Sequence, residues 1–174
     1  MSSIDIDEIK SWLRLSMEPG IGPVTGRELL SKIGLPQLIF DSSYSTLERY
    51  CDSTIARQLS AAPSTEIEER IELSLHWLQS NPLHGILTWS DDNFPSALFD
   101  VHDAPFLLYY AGHIETLEKP KIAMVGSRHS TAGGNDNARS FARYFAAKGW
   151  AVVSGLAYGI DKAAHDGALA AGVA

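Results

Sequence analysis

The last third of the sequence repeats one order of elements twice: an apolar strand, a glycine-containing turn and a helix. The first copy runs from strand 122–125 through turn 126–128 into a helix that ends at Gly149, and the second runs from strand 150–153 through turn 154–161 into a last helix. Apolar strands joined by helices pair in parallel and are covered on both faces. The order therefore predicts an α/β fold with a doubly wound parallel sheet.

Both turns are expected at the carboxyl edge of this sheet, where open α/β folds bind their ligands. Helix N-termini that arrive there favour anions, and backbone N–H groups, small hydroxyls and a guanidinium are groups that hold a phosphate. The sequence therefore predicts two phosphate-sized cradles. Their residues are Gly126, Ser127, Arg128, Ser154, Gly155, Tyr158, Gly159 and Lys162.

The side chains of these turns allow functional and purely structural interpretations. Arg128 is the strongest candidate because a planar guanidinium binds phosphate oxygens bidentately, although a solvated arginine is the alternative. Lys162 adds a second positive charge or is simply solvated, and Tyr158 stacks on a base or covers the turn. Asp161 is expected to cap the last helix. An acid–base pair of Asp161 with His165, four residues on, is disfavoured because no nucleophile accompanies it.

Common nucleotide-binding fingerprints fail in both turns. The dinucleotide pattern G-x-G-x-x-G fails after Gly126 because position 128 is arginine, and the P-loop pattern fails because position 131 is threonine. The second turn has Gly155 and Gly159 but no third glycine in the pattern. Hydride transfer and nucleotide hydrolysis are therefore disfavoured, and we expect a binding protein with no catalytic residue, cofactor or metal.

Residues 1–80 are predicted to form a small all-α domain. Apolar side chains recur at helical spacing near the N-terminus, at Ile6, Ile9, Trp12 and Leu13. A later helix is predicted to start at a capping box formed by Thr65 and Glu68. Its apolar stripe consists of Ile67, Ile71, Leu75 and Leu78.

The turn Gly20-Ile21-Gly22 between two of these helices resembles a helix-hairpin-helix motif, whose glycine-rich turn offers backbone N–H groups to a DNA phosphate. The alternative is a plain connection between two packed helices. That alternative is favoured, since the surrounding residues are acidic and would repel a nucleic acid.

Residues 81–120 differ in composition from the helical part. Segments 84–89 and 106–112 are short, apolar and rich in aromatic residues, and turn residues bound them, so both are predicted to be strands. We expect them to pad an edge of the parallel sheet. Cys51 is the single cysteine, which excludes an intramolecular disulfide and predicts a small core side chain.

The net charge of −7 is unevenly distributed. Residues 1–78 and 79–120 each carry −5, whereas residues 121–174 carry six Lys or Arg and three Asp or Glu, a balance of +3. The basic region thus coincides with the two turns, where an anionic partner would need it. No run approaches about 18 apolar residues, and the N-terminus lacks a basic-then-apolar leader, so we expect a cytoplasmic protein with no membrane segment.

Motifs along most of the chain resemble the DprA/Smf family of DNA-processing proteins. The motif VGSR at 125–128 and the segment SGLAYGIDKAAHDGAL at 154–169 carry the resemblance most clearly. Upstream, DDNFPSAL, APFLLYYAGHIE and KPKIAMVGSRHST follow in the family's order. The resemblance is strong from about residue 86 onward and looser before, where the helical part is similar to the family's SAM-like or helix-hairpin-helix domain.

The resemblance implies an extended Rossmann domain, residues 81–174, that binds single-stranded DNA without sequence preference. Such proteins help to load the RecA recombinase onto incoming strands during natural transformation, in the presence of single-strand-binding protein. The family's G-[ST]-R arginine, which contacts DNA, corresponds to Arg128. Position 158 is often basic in the family and is tyrosine here, which puts the charge at that point in doubt.

Two further expectations follow from the resemblance. The sheet is expected to be incomplete at Ala174, so that further strands, phosphate-contacting loops and a homodimer surface would lie beyond it. Because one sheet edge would then be unpaired, the 174-residue chain is expected to bind DNA weakly or to be poorly soluble.

The alternative function is a nucleotide-binding hydrolase of the phosphoribohydrolase kind, which shares the extended Rossmann architecture. Residues 1–174 do not supply the glycine-rich turn with catalytic Glu and Arg that this class needs, so this alternative requires that residues beyond Ala174 supply it.

Overall fold

The computed structural model describes residues 5–171 of the protein. The chain divides into two compact units between Gly112 and His113. From the sequence we expected a division near residue 80. The difference arises because a β-hairpin within residues 84–111 buries its side chains among the helices that precede it.

Helices fill the first unit from residue 6 to residue 79. They are α1 (Ile6–Met17), α2 (Pro23–Lys32), α3 (Pro36–Phe40), α4 (Tyr44–Leu47), α5 (Ser53–Leu59) and α6 (Thr65–Gln79). Their buried residues recur at helical spacing, as the apolar stripes of the sequence predict. Of the predicted stripe on α1, Ile9, Trp12 and Leu13 are buried, whereas Ile6 is exposed.

Side-chain caps define where these helices begin. At α1, the Asp5 carboxylate accepts a hydrogen bond from the Asp7 N–H at 3.0 Å. At α6, the Ser64 hydroxyl accepts from the Ile67 N–H at 3.3 Å. The capping box predicted at Thr65 was wrong by one residue: Ser64 is the cap, and Thr65 is the first helical residue. Both caps satisfy N–H groups that a helix start leaves unpaired.

The turn between α1 and α2 forms contacts within the protein. Gly20 has a φ of +80°, a conformation that favours glycine. Ile21 is buried, and its N–H donates to the Glu18 carbonyl oxygen at 3.1 Å. This N–H is therefore not offered to a phosphate, and the likeness to a helix-hairpin-helix motif stays a prediction.

Strands β1 (His84–Thr88) and β2 (Leu107–Ala111) form an antiparallel two-stranded sheet in the first unit. Both strands agree with the sequence prediction, but their expected place at an edge of the parallel sheet was wrong. Ile86 is buried with residues of α1 and α6, and Phe106 is buried against Trp12 and α2. A Cβ on Gly26 would lie 2.8 Å from Cδ1 of Phe106, so α2 approaches this ring only because residue 26 is glycine.

Cys51 lies half-buried after α4, and its thiol donates to the Leu47 carbonyl oxygen at 3.3 Å. Burial raises the pKa of this thiol, and the neighbouring Asp52 carboxylate raises it further. The environment keeps the thiol protonated, as suits a packing side chain rather than a nucleophile.

The second unit contains a parallel strand pair. Strand β3 (Lys121–Ala123) pairs with β4 (Ala151–Val153), and the Met124 N–H extends the pairing by donating to the Val153 carbonyl oxygen at 2.9 Å. Helix α7 (Ala132–Ala147) connects the strands, and α8 (Ile160–Leu169) follows β4. The parallel pairing and the order of strand, turn and helix are as predicted from the sequence.

The burial predicted for these strands is not found. Val125 is 81% exposed and Val153 is 48% exposed, whereas a doubly covered strand would bury both. Within residues 113–171 the sheet has only two strands, so each strand has a single neighbour and little of its surface is covered.

Small residues bring α7 and α8 together. Ala138, Ala142 and Ala146 form the buried side of α7, and Gly167 of α8 lies against the α7 backbone, where a Cβ would be 2.8 Å from the Arg139 Cα. Gly167 thus allows the close contact between the two helices. Phe141, on the same helix, is 59% exposed. The reason is that three alanines already fill the inward positions of α7.

The protein is thus a mixed α/β protein, as the sequence predicts. No helix within residues 5–171 has both the length and the apolar composition needed to cross a bilayer.

Candidate functional site

The two glycine turns of the second unit lie directly against each other. The Ile160 N–H at the start of α8 donates to the Ser127 carbonyl oxygen at 3.2 Å. Gly159 has a φ of +84°, and a Cβ there would lie 2.8 Å from the Arg128 carbonyl oxygen and even nearer to that of Ser127. Glycine alone combines this backbone conformation with so close an approach. The predicted residues of the two cradles are thereby brought into one site.

The first turn is held by a second close approach. A Cβ on Gly126 would lie 2.7 Å from the side chain of Ile160. The Ser127 hydroxyl oxygen accepts a hydrogen bond from the His129 N–H at 3.1 Å, which fixes the turn after β3. The hydroxyl hydrogen of Ser127 is not used in that bond and can be donated to an anion.

Arg128 is the exposed cation at the centre of this site. Among residues 5–171 its guanidinium has neither a salt bridge nor a hydrogen bond. By contrast, Arg139 pairs with Asp136 at 3.0 Å, and Lys162 pairs with Asp166 at 2.7 Å. Arg128 therefore keeps its N–H donors for a partner outside the described part of the chain.

Asp161 organises the second turn from within. It is buried, and its carboxylate accepts a hydrogen bond from the Gly155 N–H at 3.1 Å. The predicted role of Asp161 as the cap of α8 was wrong, because Gly159 occupies the cap position and Asp161 lies in the first helical turn. Since the Gly155 N–H already has this charged acceptor, it is not available to a phosphate.

Ser154 is also engaged in structure. Its hydroxyl donates to the Met124 carbonyl oxygen at 2.8 Å and so ties the carboxyl ends of β3 and β4 together. Of the two serines predicted to bind phosphate, Ser127 thus keeps a donor for a ligand, whereas Ser154 uses its donor on the protein.

Lys162 is partly neutralised by its neighbour one helical turn away. The Lys162 ammonium donates to the Asp166 carboxylate at 2.7 Å, on the exposed side of α8. This hydrogen bond is the main reason that the pKa of Asp166 is lowered, with a smaller contribution from the charges nearby. The pair remains intact at neutral pH, so the net positive charge of the site comes mainly from Arg128.

The second turn also presents exposed apolar side chains. Tyr158 is 83% exposed and Leu156 is 78% exposed. Leu156 has a φ of +56°, which is uncommon for a residue other than glycine, asparagine or aspartate. Sequence reasoning included Tyr158 but missed Leu156. The only sequence signal for Leu156 was that it lies between Gly155 and Gly159, in a turn where glycine would be unstrained.

The disfavoured acid–base pair of Asp161 and His165 is not formed. The Asp161 carboxylate bonds to Gly155, and the buried Nε2 atom of His165 has no hydrogen-bond partner within residues 5–171. The same residues contain no group of three or more His, Cys, Asp or Glu side chains placed to hold a metal ion. The site is thus an exposed guanidinium, a serine hydroxyl and two apolar side chains at the carboxyl edge of a parallel strand pair.

Comparisons with known proteins place this site within one family. Residues 85–174 match the family model of DNA recombination-mediator protein A, which includes both glycine turns. The chain is 28% identical over 169 residues to Protein Smf from Synechocystis, covering 91% of this chain and 40% of that protein. It is 42% identical over 79 residues to DNA processing protein DprA from Streptococcus pneumoniae, covering 45% of this chain and 28% of that protein.

The structural comparison agrees. The X-ray structure of DNA processing protein A (DprA) from Streptococcus pneumoniae superposes with a TM-score of 0.54 at 25% sequence identity, covering 96% of this chain and 53% of that one. The chain spans at most 40% of the length of the two curated relatives named above. Since the family model matches more than half of this chain, the protein belongs to the DNA recombination-mediator protein A family, the DprA/Smf proteins.

Proposed function

We propose that this protein binds single-stranded DNA at the two joined turns and performs no chemistry on the strand. The observation that carries the proposal is Arg128, an exposed guanidinium without a carboxylate partner in residues 5–171, at the carboxyl end of β3. A phosphate diester is an anion that a guanidinium binds in a bidentate manner. The family's role as a recombination mediator is consistent with a DNA ligand.

The phosphate contact is assigned mainly to the first turn. Arg128 supplies the charge, and the Ser127 hydroxyl supplies a neighbouring donor. Gly126 and Gly159 act by allowing the turns to join, and Ser154 and Gly155 act by shaping the second turn. The Lys162 ammonium contributes less because Asp166 shares its charge.

Tyr158 is assigned to a base. A ring that is 83% exposed beside a phosphate-binding turn offers a flat apolar surface, and every base has a face that stacks on such a ring. Stacking tolerates any sequence, which suits a protein that must accept incoming strands of all compositions.

The proposed cellular role is that of the family. The protein would hold single strands in the cytoplasm, self-associate as a homodimer, and help to load the RecA recombinase in the presence of single-strand-binding protein, in natural transformation or general recombination. The family assignment supports this role for the complete protein.

Fluorescence anisotropy with a labelled oligo-dT tests the DNA contact. We expect Arg128→Ala to weaken binding at least about tenfold, because a charge-assisted hydrogen bond contributes roughly 1.5–3 kcal/mol. The slope of log affinity against log salt concentration should also become shallower by about 0.7, the value for one phosphate contact on a single strand.

Arg143→Ala is the matched control, since Arg143 is exposed on α7, away from the turns. It removes the same charge from the same unit and should change the affinity by less than about twofold. Equal effects of the two substitutions would mean that only the net charge matters, and the assignment of the site to Arg128 would be abandoned.

A further inference from the structure

We infer that Leu156 contacts a base of the bound strand and thereby favours single-stranded over double-stranded DNA. The inference rests on the proposed function and assigns a specificity role to a residue outside the phosphate contact. It starts from two observations on Leu156: a left-handed backbone and a side chain that is 78% exposed.

The backbone of Leu156 is unfavourable for leucine. A φ of +56° brings the Cβ of an L-residue close to its own backbone, and glycine would avoid that cost. The side chain recovers little of the cost by packing, because most of it faces solvent. A strained residue that contributes so little to the fold points to a ligand contact.

The surrounding contacts direct this side chain outward. The Gly155 N–H is bound by the Asp161 carboxylate, and Gly159 is pressed against the Ser127 and Arg128 carbonyl oxygens. The turn between these two glycines is therefore held at both ends. Its left-handed residue projects into solvent together with Tyr158, beside the turn that carries the guanidinium.

The side chains of the site indicate which kind of ligand fits it. The unpaired charge of Arg128 calls for an anion, and Leu156, in the second turn, which contacts the turn of Arg128 through Gly159, calls for an apolar surface. A single strand supplies both, because its phosphates lie next to bases whose faces are unstacked. In a duplex the base faces are covered by their neighbours, so Leu156 would meet sugar, phosphate or base edges in place of an open base face.

The test compares Leu156→Asn with wild type on three labelled ligands of equal length: oligo-dT, a hairpin duplex and a base-free abasic strand. Asparagine keeps a similar size and tolerates the left-handed backbone, so the substitution removes mainly the apolar character. We expect affinity for oligo-dT to fall about fivefold, which corresponds to burial of roughly half a leucine side chain. Affinities for the duplex and the abasic strand should stay unchanged.

Leu169→Asn is the matched control. Leu169 is 62% exposed in the same unit and ends α8, nine residues after Ile160 and therefore about 14 Å away along the helix. It should leave all three affinities unchanged. Leu156→Gly relaxes the backbone, so its thermal unfolding midpoint should be no lower than that of wild type. Its affinity for oligo-dT should still fall.

The outcomes separate this inference from the proposed function. If Arg128→Ala weakens binding while both Leu156 variants bind oligo-dT as wild type does, the base contact is refuted and the proposed function stands. An equal loss of affinity for all three ligands also refutes the base contact. So does a Leu156 variant whose sedimentation coefficient changes while its affinities do not, because Leu156 would then contact protein. A wild-type chain that stays in solution and binds none of the three ligands refutes both.

Discussion

Gly159→Ala tests the joint between the two turns. The backbone of Gly159, with a φ of +84° and a ψ of −128°, costs other residues on the order of 1–3 kcal/mol. In addition, the new Cβ would lie 2.8 Å from the Arg128 carbonyl oxygen and nearer still to that of Ser127. Displacing the first turn to relieve these contacts costs about 1–3 kcal/mol more.

Together these terms lower the free energy of unfolding of the second unit by about 2–6 kcal/mol. Thermal unfolding followed by circular dichroism should show a midpoint lower by about 10 °C or more. Oligo-dT affinity should fall too, because the displaced turn carries Arg128.

Gly133→Ala provides the reference for this measurement. A Cβ at Gly133, in the first turn of α7, meets nothing within 4 Å, so alanine there should leave stability unchanged or raise it by up to about 1 kcal/mol. If the Gly159 and Gly133 variants unfolded at the same midpoint and bound DNA equally, the packing of the turns described above would be refuted.

Three further predictions concern the surroundings of the site and the first unit. Asp166→Asn releases Lys162 and removes a negative charge, so oligo-dT affinity measured by anisotropy should rise about two- to fivefold; a decrease would exclude Lys162 from the DNA contact. Asp161→Ala removes the acceptor of the Gly155 N–H and should destabilise the protein by about 1–2 kcal/mol in urea titrations, whereas an unchanged midpoint would make that bond unimportant. Phe106→Ala should cost about 3–5 kcal/mol by the same titration, and a smaller loss would contradict its burial in the helical core.

Local sequence patterns were sufficient for the elements that form the site. The apolar runs before Gly126 and Ser154 predict strands, and the small residues after them predict turns that lead into helices. These features depend on short-range backbone preferences. The order of strand, turn and helix also predicts the parallel pairing of β3 with β4, whereas the direct contact between the two turns was not predicted.

Features that depend on distant residues could not be anticipated. The sequence does not reveal that the ring of Phe106 packs on Gly26, so the two strands were expected to pad an edge of the parallel sheet. Nor does it reveal that Asp161 turns back to Gly155 instead of capping α8. No residue preference signals the left-handed backbone of Leu156.

A structure of the protein bound to a short oligo-dT would test the central claim most directly. The account predicts a backbone phosphate within hydrogen-bond distance of the Arg128 guanidinium, with bases lying toward Tyr158 and Leu156. A strand bound at another surface, with Arg128 still facing solvent, would contradict it.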